Sequence, residues 1–253
     1  MSLDAAGIDI VARLRAAGCV FAEDEAALLT AAPGDLDSMV ARRIAGEPLE
    51  YIIGWVSFAG LRIFVEPGVF VPRQRTTFLV QQAIAVTPPG SVVLDLCCGS
   101  GAIGAAIAAA VPISLYATDI DPVAVACARR NVSGEVFVGD LFEPLPASLR
   151  GRVNTLVANV PYVPTSAISL MPPEARDHEP HYTLDGGPDG LDIFRRVVTA
   201  APEWLAPGGS LFIETSTEQA PSAVAALREA GLAADIAADD ELGATVVIGT
   251  RAS

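Results

Sequence analysis

The sequence predicts an α/β protein in which a mostly parallel sheet is finished by an antiparallel strand, preceded by a small helical region and a hairpin. Three observations carry this. From Ser91 onward, short apolar runs alternate with segments of helical periodicity, the pattern of a parallel sheet with crossover helices. The last two apolar runs, Ala233–Ala237 and Thr245–Gly249, are too close for a helical crossover and must pair antiparallel. The first third instead shows short amphipathic helical stretches. At 253 residues, 51% hydrophobic and 18% charged, the chain has the composition of a globular protein and can bury a sizeable core.

Taken in order, Ile8–Ala17, Glu23–Ala32 and Asp35–Ala45 read as helices; Pro33-Gly34 separates the last two, and Asp35 is placed to cap the third. Phe58–Val65, the turn Glu66-Pro67-Gly68 and a return strand Val69–Val71 form the expected hairpin. Thr76–Val86 is a helix stopped by Pro88-Pro89-Gly90. Then follow strand Val92–Leu96, helix Gly101–Ala110, strand Ile113–Thr118, helix Pro122–Asn131 with proline in its first turn, and strands Val136–Val138 and Val153–Ala158. Helix Leu191–Leu205, strand Ser210–Glu214 and helix Gln219–Ala230 precede the terminal strand pair, making a seven-stranded sheet beside the hairpin. The chain divides into a helical region 1–56, a hairpin linker 57–75 and an α/β domain 76–253.

Charge and residue usage exclude several function classes. All 16 basic residues are Arg, so Schiff-base chemistry and a P-loop lysine are ruled out. A net charge of −14 repels phosphate backbones, which argues against nucleic-acid and anionic-membrane partners and suits a basic protein partner. Cys19, Cys97, Cys98 and Cys127 lack metal-site spacing, and His178 and His181 are the only histidines, in a loop that reads as solvated; no metal is expected. The start, Met1-Ser2-Leu3-Asp4, has no leader-like character, and the uncharged stretch between Asp95 and Asp119 is broken by glycines and Pro112, so a soluble cytoplasmic protein is expected.

Between strand and helix, Val93–Gly104 contains G-x-G-x-x-G at Gly99, Gly101 and Gly104, with Cys97, Cys98 and Ser100 in the same turn. Glycines permit a tight turn, and the helix start offers free N–H groups to a ligand. Asp119 ends the next strand, where a carboxylate can accept two ribose hydroxyls. Both NAD and S-adenosylmethionine (SAM) satisfy this much. Asp95, just before the glycines, suits a sulfonium and would oppose a pyrophosphate, which favours SAM; it could equally cap loop amides. Cys97-Cys98 reads as small side chains filling a crowded loop. Asp140, after the third strand, could accept the adenine amine, with Leu141 or Phe142 against the ring.

The strand Val153–Ala158 runs into Asn159-Val160-Pro161-Tyr162, which at that strand end faces the methyl donor. This tetrapeptide resembles the Asn/Asp-Pro-Pro-Tyr loop of methyltransferases acting on planar nitrogens. Together with Gly46–Gly54 (Gly-Glu-Pro-Leu-Glu-Tyr-Ile-Ile-Gly), Val71-Pro72-Arg73, Glu179-Pro180 and the glycine-rich Leu184–Leu191, the chain from about residue 40 onward resembles the peptide chain release factor N(5)-glutamine methyltransferases. The resemblance implies a Rossmann-like class I SAM-dependent domain, an N-terminal domain that docks the release factor, and methylation of the glutamine in its Gly-Gly-Gln tripeptide. The chain departs at Val160, usually Pro, and at Gln74-Arg75-Thr76, usually Pro, an acid and Thr; the helical region is also short.

The residues suit that chemistry. An amide nitrogen is a poor nucleophile, so two acceptors on its hydrogens, the Asn159 side-chain oxygen and the Val160 carbonyl, would align it and stabilise developing charge. Pro161 would stiffen the turn and Tyr162 would offer a flat face to the amide. Arg73 would order the loop or touch substrate, and reads equally as one half of a surface ion pair. Amino-methylation of DNA uses the same loop but conflicts with the charge, and an idle SAM-fold binding module conflicts with the intact Asp95, Asp119 and Asn159.

Overall fold

The computed structural model describes residues 5–253. The Met1-Ser2-Leu3-Asp4 segment, on which the argument against a leader rests, lies outside the described residues. Four helices open the chain: α1 (Ala5–Ala16), α2 (Ala22–Ala31), α3 (Leu36–Ile44) and the short α4 (Leu49–Ile53), the last not anticipated from sequence. Asp35 caps α3 by accepting the Ser38 N–H at 3.3 Å. Leu14, Leu29, Val40 and Ile52 fill a small core of their own. Beside it the guanidinium of Arg43 is buried against Glu25 at 2.7 Å and reaches Glu174 at 3.3 Å.

The hairpin is displaced from its expected position. Strands β1 (Trp55–Phe58) and β2 (Leu61–Phe64) pair antiparallel around Ala59-Gly60. Both turn residues have positive φ, 48° and 78°, the two-residue turn whose twist matches a hairpin. Val69–Val71 is not a strand: the Tyr51 hydroxyl donates to the Val69 carbonyl at 2.8 Å, and the Val71 N–H donates to Glu179 at 3.1 Å. The hairpin is no detached linker either, since Val56, Phe58 and Ile63 lie in one core cluster with Leu79, Ile103 and Ile107.

After α5 (Thr77–Ala85) come β3 (Val92–Leu96), α6 (Ala102–Ala110), β4 (Ser114–Asp119), α7 (Pro122–Asn131), β5 (Glu135–Val138), β6 (Val153–Ala158), α8 (Pro173–His178), α9 (Asp192–Trp204), β7 (Leu205–Thr215), α10 (Ala220–Glu229), β8 (Ala233–Asp239) and β9 (Ala244–Thr250). The seven-stranded sheet has the order β5-β4-β3-β6-β7-β9-β8; β9 lies antiparallel between β7 and β8, and the other contacts are parallel. Side chains alternate between faces. Leu94, Leu156 and Leu211 pack under α9 and α10 with Phe194, Val197 and Leu227, while Val93, Val157 and Phe212 pack under α5 and α6. No helix among the described residues is long and apolar enough to cross a membrane.

Candidate active site

The carboxyl ends of β3, β4 and β6 open into one cavity of about 690 Å³, a size suited to a cofactor and part of a second substrate. The loop after β3 turns tightly: Cys97, Gly99 and Gly101 have φ of 53°, 54° and 76°. Cys97, Cys98, Gly99 and Ser100 line the cavity. Gly101 does not; it starts α6, and a Cβ there would meet Val132 and Ala128 of the α7 region at 3.1 and 3.2 Å. Burial raises the thiol pKa of both Cys97 and Cys98, so both stay protonated and act as small fillers.

Asp119 lines the cavity at the end of β4 and also fixes the loop. Its Oδ2 accepts the Gly99 N–H at 2.8 Å and its Oδ1 the Asp121 N–H at 2.9 Å. Burial holds its pKa above the ordinary carboxylate value, and those amide bonds work against the rise.

Asp95 takes the alternative role. It is 0% exposed and absent from the cavity wall, so it offers no carboxylate to a ligand's charge there. It lies on the sheet face that meets α6, and its Oδ2 accepts the Gly104 N–H at 2.9 Å, bracing the glycine loop from behind. Its pKa is pushed up to about 7, chiefly by burial.

Further along, Asp140, Leu141, Ile193 and Arg196 line the wall, and Arg196 donates to Asp140 at 2.6 Å. Leu141, with φ 49°, faces the cavity, whereas Phe142 turns away and stacks on Trp204 with centroids 5.3 Å apart. Thr76, Ser100 and Thr118 also line the cavity, with their hydroxyls buried and without hydrogen-bond partners among the described residues. A glycine loop, a carboxylate and an apolar slot side by side fit a nucleoside-bearing cofactor.

The loop after β6 brings Asn159, Val160, Pro161 and Tyr162 to the same cavity. The Asn159 side chain makes no hydrogen bond among the described residues, which leaves its oxygen available. Val160 is 2% exposed, packed into the core cluster with Leu191, so an apolar β-branched residue is accommodated where proline is usual. The chain behind is clamped: the Val163 N–H donates to Leu184, the Gly186 N–H to Val163, and Gln219 Nε2 to the Tyr162 carbonyl at 2.9 Å. The Leu184–Leu191 motif therefore supports the loop that carries Asn159–Tyr162.

Tyr162 is more than a flat face. Its hydroxyl donates to Glu214 at 3.1 Å and accepts from Arg75, and burial pushes its pKa up to about 12. Arg73 lines the cavity and pairs with buried Glu179, which also accepts the Val71 N–H. His178 and His181 are exposed. Sequence reasoning missed Arg75, Glu214, Arg196 and Tyr182, whose hydroxyl donates to Asp121 across the cavity mouth. In the sequence Arg75 stands out only as a departure from the family pattern, and Glu214 only as a carboxylate closing the apolar run Leu211-Phe212-Ile213.

Residues 60–171 match the family model described as Methyltransferase small domain. The chain is 39% identical over 219 residues to the release factor glutamine methyltransferase of Geobacter sulfurreducens, covering 84% of this chain and 76% of that one. It is 36% identical over 212 residues to the release factor glutamine methyltransferase of Mycolicibacterium smegmatis, covering 81% and 75%. A methyltransferase structure from Pyrococcus furiosus shares the fold, with a TM-score of 0.57 at 17% identity over 77% of this chain and 90% of that one.

Proposed function

The chain belongs to the release factor glutamine methyltransferases, and from that premise we propose that Asn159-Val160-Pro161-Tyr162 presents the glutamine of a release factor's Gly-Gly-Gln tripeptide to SAM for methylation of its side-chain nitrogen. The observation that carries this is the Asn159 side chain, lining the cavity beside the glycine loop with no hydrogen-bond partner among the described residues.

Bound SAM supplies an electrophilic methyl group on sulfonium. Asp119 would hold the ribose hydroxyls, Ser100 and the start of α6 would offer donors, and Asp140, Leu141 and Ile193 would form the adenine end. Asn159 Oδ1 and the Val160 carbonyl accept the two hydrogens of the acceptor amide, fixing its lone pair and stabilising charge as the nitrogen is alkylated. Neither acceptor has to be a strong base, because an N-alkylated amide cation gives up its proton readily. The same carbonyl exists whatever residue stands at 160, so the Val in place of Pro is compatible with this reading. The helices of residues 5–53 form the docking surface for the release factor. The net charge of −14 favours a basic protein partner over nucleic acid.

The test is mass spectrometry of a release factor from the same organism after incubation with enzyme and SAM. One added methyl on the Gly-Gly-Gln glutamine is expected. An unmodified glutamine, with SAM binding normal by calorimetry, would move the assignment to another acceptor.

A further inference from the structure

Glu214 is 2% exposed near the end of β7. Ile213 is in register with Ala158, so Glu214 stands level with Asn159. Its Oε1 accepts from Arg75 Nε at 3.0 Å and from the Tyr162 hydroxyl at 3.1 Å, while Oε2 is buried without a hydrogen-bond partner among the described residues. Arg75 Nη2 donates to that same Tyr162 oxygen, closing a triangle of guanidinium, carboxylate and phenol. Across the sheet the register partner of Glu214 is Val246. Arg75 and Tyr162 are thus the titratable side chains that reach it among the described residues, and Arg75 is its counter-ion.

We infer that Arg75 is a positioning residue for methyl transfer: by neutralising buried Glu214 and binding the Tyr162 hydroxyl, it fixes the ring against which the acceptor amide lies. This rests on reading Asn159–Tyr162 as the acceptor loop. The Tyr162 main chain is held separately, through Gln219, so loss of Arg75 loosens the ring and leaves the loop's backbone in place. A carboxylate this deeply buried is tolerated as an anion only with its partner. Without Arg75, the buried Glu214 carboxylate is left without its counter-ion and the Tyr162 hydroxyl loses one of its two partners.

The experiment is single-turnover methyl transfer to a release factor, with calorimetric SAM affinity measured alongside. Wild type, Arg75→Ala, Arg75→Lys and the double variant Arg75→Ala/Glu214→Gln are compared. Arg75→Ala should lose about 10–100-fold in rate, with SAM affinity unchanged. Arg75→Lys should fall between it and wild type. The double variant should exceed Arg75→Ala, because no buried charge is left to compensate. A rate equal to wild type in Arg75→Ala, or no rescue by Glu214→Gln, would overturn the inference. An inactive wild type with SAM bound would instead overturn the substrate reading.

Discussion

The Asp95 carboxylate accepts the Gly104 N–H through Oδ2 at 2.9 Å, while its Oδ1 lies buried with no hydrogen-bond partner among the described residues. A carboxyl in that setting is cheapest when it keeps its proton, and its pKa of about 7 lies above the ordinary value of 3.8. The folded chain therefore binds this proton more tightly than the unfolded chain does. The stability it contributes is full below about pH 4 and is lost as pH rises through 7, on the order of 4 kcal/mol in all. Asp95→Asn keeps an oxygen for Gly104 and cannot ionise. Urea melts should show wild type losing stability relative to this variant between pH 5 and pH 8. Parallel curves would mean that Asp95 titrates as an ordinary carboxylate.

Asp119 differs in facing the cavity. Asp119→Ala should weaken SAM binding by about 1.5–3 kcal/mol, through lost hydrogen bonds to the ribose and a loosened Gly99 turn. Asp95→Asn should change that affinity less, because Asp95 does not line the cavity. Calorimetry on both variants checks this, and equal losses would contradict the division of labour.

In the acceptor loop, Asn159→Ala should lower the single-turnover rate by about 10²–10³ with SAM affinity largely intact. Val160→Pro should stay within about tenfold of wild type, since it keeps the carbonyl and removes only an N–H. If Val160→Pro proved as damaging as Asn159→Ala, the main-chain acceptor would be wrong.

Arg43 is sealed between Glu25 and Glu174. Arg43→Met strands Glu25 without its partner and should cost about 3–5 kcal/mol in denaturant melts. Adding Glu25→Leu should recover most of it. Additive losses in the double variant would show that the pair is uncoupled.

Elements specified by local signals were readable in the sequence. Pro122–Asn131 and Val153–Ala158 match in the structure residue for residue, the first set by proline at its start, the second by Val153, Thr155, Leu156 and Val157 before Asn159-Val160-Pro161. The hairpin was misplaced because Glu66-Pro67-Gly68 has stronger turn chemistry than Ala59-Gly60, yet tertiary bonds from Tyr51 and Glu179 hold the segment after it. The glycine loop, Asp119 and the tetrapeptide Asn159–Tyr162 could be brought to one place from sequence because strand ends converge on one cavity. Asp95 misled, since one residue's shift along a strand decides whether a side chain meets the ligand or the helix behind it. Arg75 and Glu214 stand 139 residues apart, and no local pattern joins them.

The strand order leaves β5 and β8 at the margins of the sheet. A bare margin is a template on which a second chain can add a strand, and so a starting point for aggregation. Here β5 is only four residues long and opens with exposed Glu135, while the longer β8 carries Asp235 and Asp239. An incoming strand at either side meets carboxylates. The sheet is thereby shielded from propagating into fibres, even when an enzyme molecule opens and recloses.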